Sequence, residues 1–272
     1  MNSAASVAFT IHDIHKVYFS RSGAAVEAIA GLSLEARENE VLAIVGPSGC
    51  GKSTLLRILG GLDTDYDGTV VWPEHAPTHD EKRLRSAAVF QSDSTLPWLS
   101  VERNLIVGMS GLKLTPAEQT ARVEKYLALV GLADFRKAFP HELSGGMRQR
   151  VAIARALATE PMLLLMDEPL AALDAQTRLV MQQELLRIWR ETRLSVVYIT
   201  HDIAEALSLA HRVVVMTARP GRIKRIIETP FEGLRDLKSL RRHPQFGALE
   251  MEIWQMVADE VGQSLSGDGE GS

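Results

Sequence analysis

The sequence predicts an α/β fold with a mostly parallel β-sheet and helices on its faces. Three observations carry that reading. In the second half of the chain, short apolar runs alternate with stretches of helical spacing. Near the start, Glu-Val-Leu-Ala-Ile-Val at residues 40–45 leads through a glycine-rich loop into a helical stretch at 54–59, the order strand, loop, helix. Finally, 46% of the 272 residues are hydrophobic and 24% charged, which excludes disordered, collagen-like and coiled-coil chains. This length is near the upper end for a single core and leaves room for one α/β domain with a small subdomain or tail.

Charge and cysteine content narrow the function classes. Thirty Lys and Arg against 34 Asp and Glu give a net charge of −4, with no broad basic footprint for nucleic acid. The single cysteine, Cys50, permits no internal disulfide framework and fits a reducing compartment. Residues 1–10 lack the basic start and apolar run of a signal peptide. The longest apolar stretches, such as 213–216 and 162–166, fall far short of the roughly 20 residues of a membrane span. Work at a membrane would therefore go through a partner.

Residues 7–36, with short apolar runs around Ser22-Gly23, read as antiparallel strands. Residues 63–80 read as loop, with Asp67-Gly68 as a turn, and 87–90 as a short buried strand. Between 101 and 143 the spacing turns helical. Val123, Leu127, Val130 and Leu132 share a face, and Pro116 suits a first turn. A helix through 157, a strand at 162–166, a helix at 175–190, a strand at 196–200, a helix at 202–209 and a strand at 213–217 follow. Residues 219–242 hold eight Lys and Arg against three Asp and Glu, and this excess marks either a solvated face or a surface toward anionic lipid or a membrane partner. Phe246, Leu249, Ile253, Trp254 and Val257 then recur at helical spacing, and residues 264–272 read as disordered. No internal repeat is present.

Gly46-Pro47-Ser48-Gly49-Cys50-Gly51-Lys52-Ser53 fits the phosphate-loop pattern G-x-x-x-x-G-K-[ST] in full, between a buried strand and a helix start. Glycines let successive backbone N–H groups wrap phosphate oxygens, and the helix N-terminus adds favourable partial charge. Lys52 can reach the terminal phosphates and Ser53 can ligate Mg²⁺; Thr54 follows as a further nucleotide-side residue. Cys50 reads as a small filler. Downstream, Leu163-Leu164-Leu165-Met166 ends in Asp167 and Glu168, which is either a solvated acidic turn or a ligand crevice at a strand end. With the phosphate loop upstream, Asp167 orients Mg²⁺ and Glu168 polarises the water that attacks the γ-phosphate.

Leu143-Ser144-Gly145-Gly146-Met147 at a helix start is a second anion nest. Together with the phosphate loop, it resembles the nucleotide-binding subunits of ABC transporters, whose signature reads LSGGQ, here with Met147 in place of Gln. The resemblance covers residues 11 to about 228. It implies a P-loop NTPase of the ABC type: a RecA-like core, an antiparallel β subdomain and an inserted α-helical subdomain at about 92–157, all within residues 7–228, followed by a helical tail at 229–263. It also implies ATP and Mg²⁺ as ligands, with two copies sandwiching ATP so that Ser144, Gly145 and Gly146 touch the γ-phosphate bound by the other copy.

On the same pattern, Gln91 matches the glutamine that senses Mg²⁺ and the attacking water. Asp174 matches the D-loop, with Ala171 where a serine is common. His201 matches the switch histidine at the γ-phosphate, and Tyr18 an adenine-stacking aromatic, with Phe19 beside it. Taken singly, these residues also read as loop, cap or strand residues. Leu96-Pro97-Trp98-Leu99 after Gln91, and the tail around 240–246 and 252–254, resemble the importer branch for nitrate, sulfonates and taurine. Trp98 is then either an anchor of the helical subdomain or a partner contact. The implied partners are integral membrane permease subunits and, indirectly, a solute-binding protein, with this chain peripheral on the cytoplasmic face. The alternatives are an exporter or lipid-transport ATPase, and a soluble ABC ATPase. The missing fused membrane domain and the Leu-Pro-Trp motif weigh against the first. The single cassette, without zinc modules or long coiled coils, weighs against the second.

Overall fold

The structure, a computed structural model, describes residues 6–20, 23–74, 76, 83–91, 95–231 and 237–267. In chain order its elements are β1 (Val7–Phe19), β2 (Ala25–Arg37), β3 (Val41–Val45), α1 (Lys52–Leu59), β4 (Asp67–Val71), β5 (Ser86–Val89), α2 (Val101–Gly108), α3 (Pro116–Leu129), α4 (Gly145–Leu157), β6 (Leu163–Asp167), α5 (Ala175–Thr192), β7 (Ser195–Ile199), α6 (Ile203–Leu209), β8 (Arg212–Met216), β9 (Ile223–Glu228), α7 (Leu237–Arg241) and α8 (Phe246–Gly267). They fall into two compact units, Met1–Pro73 with Ser195–Ser272, and Glu74–Leu194.

In the first unit, β3 lies between β7 and β8, all three parallel, and β9 adds an antiparallel edge to β8. Every residue of β3, β7 and β8 is buried. That explains why these strands read as continuous apolar runs rather than alternating ones. The other sheet is antiparallel, in the order β2-β1-β4.

Two features of this unit depart from the sequence reading. Asp67-Gly68 is no turn but opens β4, where Asp67 pairs with His15 of β1. Gly68 has φ +97°, and a Cβ there would stand 2.3 Å from the Asp13 carbonyl oxygen, so a glycine admits this close strand approach. Strand β9 lies inside the basic stretch 219–242. Of its six residues only Ile227 is buried, the burial of an edge strand too exposed to leave an apolar signature.

The C-terminal end is also more ordered than its composition implies. Helix α8 extends through Gly267, so residues 264–267 form its last turn, contrary to the expectation of disorder. Residues 268–272 lie outside the described residues. Ile253 of α8 is fully buried while Trp254 is 56% exposed; neighbours about 100° apart on a helix cannot face one core.

Beneath β3, Glu40 and Arg212 are both buried and their charged groups lie 3.3 Å apart. Glu40 also accepts the Arg37 N–H at 2.8 Å, and Arg212 donates to the Glu35 carbonyl at 3.1 Å. The pair therefore satisfies backbone groups where β2 turns into β3.

The second unit pairs β5 with β6 in parallel, from Ser86 with Leu163 to Val89 with Met166. Its helices start on strong caps. Ser100 accepts the Arg103 N–H at α2, Thr115 and Glu118 form a reciprocal box at α3, and Ser144 accepts the Met147 N–H at α4. Val123, Leu127, Val130 and Leu132 are each at most 1% exposed, the shared face that the helical spacing predicts. Asn104, fully buried, accepts the Leu96 N–H at 2.8 Å and donates to the carbonyls of Leu96 and Leu99 at 3.2 and 3.0 Å. That amide fixes the Leu-Pro-Trp-Leu loop.

Two stability outcomes follow. Glu40→Ala leaves the Arg212 charge buried without its partner and is expected to lower the unfolding free energy by about 3–5 kcal/mol. The double variant Glu40→Leu with Arg212→Met is expected to lose clearly less, as read by urea titration. In the second unit, Arg136 donates to Glu102 at 2.6 Å and holds that carboxyl below the usual glutamate range. A depressed folded pKa stabilises above the unfolded value and stops doing so as pH falls through the folded one. The gap in urea midpoint between the native chain and Glu102→Gln is therefore expected to be full at neutral pH and to close below about pH 4.

Candidate functional site

Strand β3 ends at Val45, and the chain turns at once into the phosphate loop. Gly49 and Gly51 have φ of +77° and +96°, a region that glycine enters without strain. Gly51 is the N-cap of α1 and offers no side chain, and the helix's first turn holds no acid. The helix start therefore presents backbone N–H groups and positive partial charge that no side chain of its own satisfies. Lys52 is buried, and its ammonium donates to the carbonyls of Gly46 and Pro47, each at 2.8 Å. Ser48, Gly49 and Ser53 are exposed, and Thr54 half-buried. Burial pushes the Cys50 thiol up against the pull of Lys52, which keeps it protonated and fits the filler reading.

The loop is clamped by main chain. A Cβ on Gly51 would stand 2.8 Å from the Ala28 carbonyl oxygen, and one on Gly46 would stand 3.0 Å from that of Met216. A Cβ on Gly221 would stand 2.0 Å from the Cys50 carbonyl oxygen. Gly221 also donates its N–H to Ala28 and accepts that of Ala30, at 2.9 and 3.1 Å. The sequence reading missed Gly221, although Pro220-Gly221 is a turn dipeptide; its contact with Cys50 is far away along the chain.

Two more predicted site residues belong to this unit. Tyr18 lies beside α1, its hydroxyl donating to Asp63 at 3.0 Å and lying 3.5 Å from Thr54 Oγ1. The Lys16 ammonium sits 4.8 Å from its ring centroid, and Phe19 next to it is 75% exposed. His201 follows β7 and is exposed. Because Thr200 donates to the Ile44 carbonyl at 3.3 Å, β7 and β3 end together and His201 stands at the same sheet edge as Gly46.

In the second unit, the register of β5 with β6 sets Gln91, exposed, and Asp167 and Glu168, both half-buried, at one sheet end. Glu168 has φ +46°, unusual for a non-glycine residue and a form of strain found at active sites. Ser144 and Gly145 are exposed at the start of α4. Gly146 is buried, and a Cβ there would stand 2.9 Å from Thr177 Cγ2, so a side chain at this position would push on Thr177 where α4 starts beside α5. Asp174 caps α5, accepting the N–H groups of Gln176 and Thr177 at 3.0 Å and the Thr177 hydroxyl at 2.6 Å. The Thr177 hydroxyl, above all, holds that carboxyl below its usual range. Capping is the role of Asp174 visible within this unit.

Mg²⁺ takes oxygen ligands and keeps several waters when it rides on phosphates. The Asp167 carboxylate and the Gln91 amide oxygen of this unit, and separately the Ser53 hydroxyl on the first turn of α1 in the first unit, are hard donors of that kind, so each residue type fits the ion. Among the described residues, no cluster of three His, Cys, Asp or Glu side chains could cage a metal unaided.

A glycine loop with these constraints, between a buried parallel strand and an uncapped helix, defines a P-loop nucleotide triphosphatase. The comparisons specify which one. The ABC transporter family profile matches residues 29–171. A taurine import ATP-binding protein of Roseobacter denitrificans is 41% identical over 250 residues, covering 90% of this chain and 92% of that one. An aliphatic sulfonates import ATP-binding protein of Bacillus cereus is 40% identical over 219 residues, covering 80% and 85%. A solved dimeric ATP-binding cassette, in a post-hydrolysis state with ADP and Pi, matches with a TM-score of 0.65 at 31% identity, covering 81% of this chain and 98% of that one. The chain belongs to the ABC transporter family, among its ATP-binding and ATP-hydrolysing subunits.

The clamp on the loop is directly testable. Gly221→Ala is expected to displace the Cys50 carbonyl and weaken binding of a fluorescent ATP analogue at least tenfold, with far-ultraviolet circular dichroism unchanged. Affinity within twofold of the native chain would show that Gly221 does not shape the loop.

Proposed function

We propose that this chain binds and hydrolyses ATP to drive import of a small sulfonate-bearing anion, such as taurine or an aliphatic sulfonate, through a membrane permease. The observation that carries the reading is the main-chain clamp that presents the phosphate loop and Lys52 at an uncapped helix start. The taurine and sulfonate import relatives support the solute class.

In this reading the nucleotide is held between two copies. Lys52 and the backbone of residues 46–51 cradle its β- and γ-phosphates, and Tyr18 stacks on the adenine. Ser144, Gly145 and Gly146 of the other copy contact the γ-phosphate, with Asp174 beside them in the D-loop. Glu168 accepts a proton from the attacking water, while Gln91 and His201 orient the water and the γ-phosphate. Ser53, Asp167 and Gln91 would hold Mg²⁺, which when bound would supply charge neutralisation on the phosphates. ATP favours the closed pair, and its hydrolysis removes that bias.

The permease contact lies on the second unit. A groove of about 350 Å³ there is lined by Leu99, Ser100, Glu102, Arg103, Ile106 and Val107. Beside it Trp98 is 70% exposed, which weighs against the core-anchor alternative and favours a docking role. No described helix is long and apolar enough to cross a membrane. The groove thus tethers the chain to the cytoplasmic face through the permease, with a solute-binding protein acting indirectly.

Glu168→Gln separates binding from chemistry. ATP affinity is expected to stay within a fewfold of native, turnover to fall by about 10²-fold or more, and an ATP-stabilised dimer to accumulate in sedimentation. Loss of ATP binding in this variant would contradict the assignment of Glu168 as the base.

A further inference from the structure

Helix α8 has one buried face and one exposed apolar face. One is turned inward: Phe246, Ile253 and Glu260, seven residues apart, are 4%, 0% and 8% exposed. The Glu260 carboxylate accepts the Ala218 N–H at 2.9 Å and pairs with Lys224 at 2.7 Å. The other face stands in solvent. Met251 is 64% exposed and Val261 41%, with Trp254 between them. Gly247 and Ala248 are also exposed, and Ala258 is half-buried.

Positions 247, 251, 254, 258 and 261 step by four, three, four and three. That is the seam spacing by which one helix packs along another, narrower than the stripe of a helix lying on a globular core. A lipid surface fits poorly. The helix has no Lys or Arg and holds Glu250, Glu252, Asp259 and Glu260, whereas helices that lie on membranes carry a basic polar face. Residues 268–272 contain no apolar side chain to match such a seam.

A second copy of the same helix does fit. Antiparallel pairing centred on position 256 sets Trp254 against Ala258 of the second copy, and Met251 against its Val261. Large meets small, and the layers alternate between the two seam positions. Parallel pairing in register would set Trp254 against Trp254 and leave Ala258 against Ala258, one layer overfilled and the next hollow. Charge also permits the antiparallel pair. Arg225 holds Glu252 at 2.5 Å and Lys224 holds Glu260 within each protomer. Flanking the seam, Glu250 shares one side with Val257, and Gln255 shares the other with Ala248 and Gly262, so no carboxylate opposes another.

We propose that α8 is a self-association face that pairs antiparallel with α8 of a second copy without nucleotide. The contact is independent of the ATP sandwich. A seam this short falls below the three to four heptads of a free-standing coiled coil, so the pairing is weak and reversible.

The full chain, free of nucleotide and in EDTA, is expected to show a sedimentation mass rising from monomer toward dimer across micromolar concentrations. Trp254→Glu and, separately, Met251→Glu change solvent-exposed positions. They are expected to move that rise at least tenfold higher in concentration without changing the melting profile. Mixed Met251→Cys and Val261→Cys chains are expected to crosslink to each other faster than either does to itself; the native Cys50 is buried. A chain that stays monomeric throughout, or whose mass is indifferent to both glutamate variants, overturns the proposal. Preferential like-with-like crosslinks overturn the antiparallel register. ATP-induced pairing of a Glu168→Gln, Trp254→Glu chain reports separately on the sandwich.

Discussion

Three glycines let main chain touch main chain around residues 46–52, and the rest of the first unit is arranged about that contact. Gly51 lies against the Ala28 carbonyl of β2, Gly46 against that of Met216 at the end of β8, and Gly221 against the carbonyl of Cys50 in the loop itself. A side chain at Gly51 or Gly221 would collide with main chain, and one at Gly46 would crowd it. The loop is thereby pressed between the antiparallel sheet and the parallel one, and its shape is set before any ligand arrives. A preformed cradle spares binding the cost of ordering the loop, and the start of α1 adds its partial charge at the same point.

The parallel strands were legible because burial on both faces leaves little room for polar residues. In the first unit the strands at 41–45, 195–199 and 212–216 print apolar runs, with Gly46 and His201 just past the ends of two of them; in the second unit the strand at 163–167 prints another and ends in Asp167. Edge strands escape that logic. In β4 no residue is fully buried, and the glycine that reads as a turn answers to a neighbouring backbone. Gly221 was invisible for a related reason: its constraint is a contact with Cys50, and no local pattern records it. Asp174 shows the opposite difficulty. Its motif reads as a nucleotide residue, yet within its unit it caps a helix, and one carboxylate can serve both ends.

Aromatic residues were the least legible in orientation. Trp98 and Trp254 have apolar neighbours in sequence, and both stand in solvent. For Trp98 the cause is visible in Asn104, whose buried amide fixes the loop backbone and leaves the indole outside. For Trp254 the cause is helical phase, since Ile253 takes the inward position. Exposed aromatics held on rigid supports lose little conformational freedom on docking, and the two lie on different units.

In the proposed cycle, one nucleotide is completed by Lys52 of one copy and Ser144 of another. Mixing separately purified Lys52→Ala and Ser144→Arg chains tests it most directly. Each alone is expected to be inactive in ATP hydrolysis. Their mixture should recover turnover, because a mixed pair holds one site with both groups intact. A mixture as inactive as its parents would contradict the claim, as would either parent keeping native turnover alone.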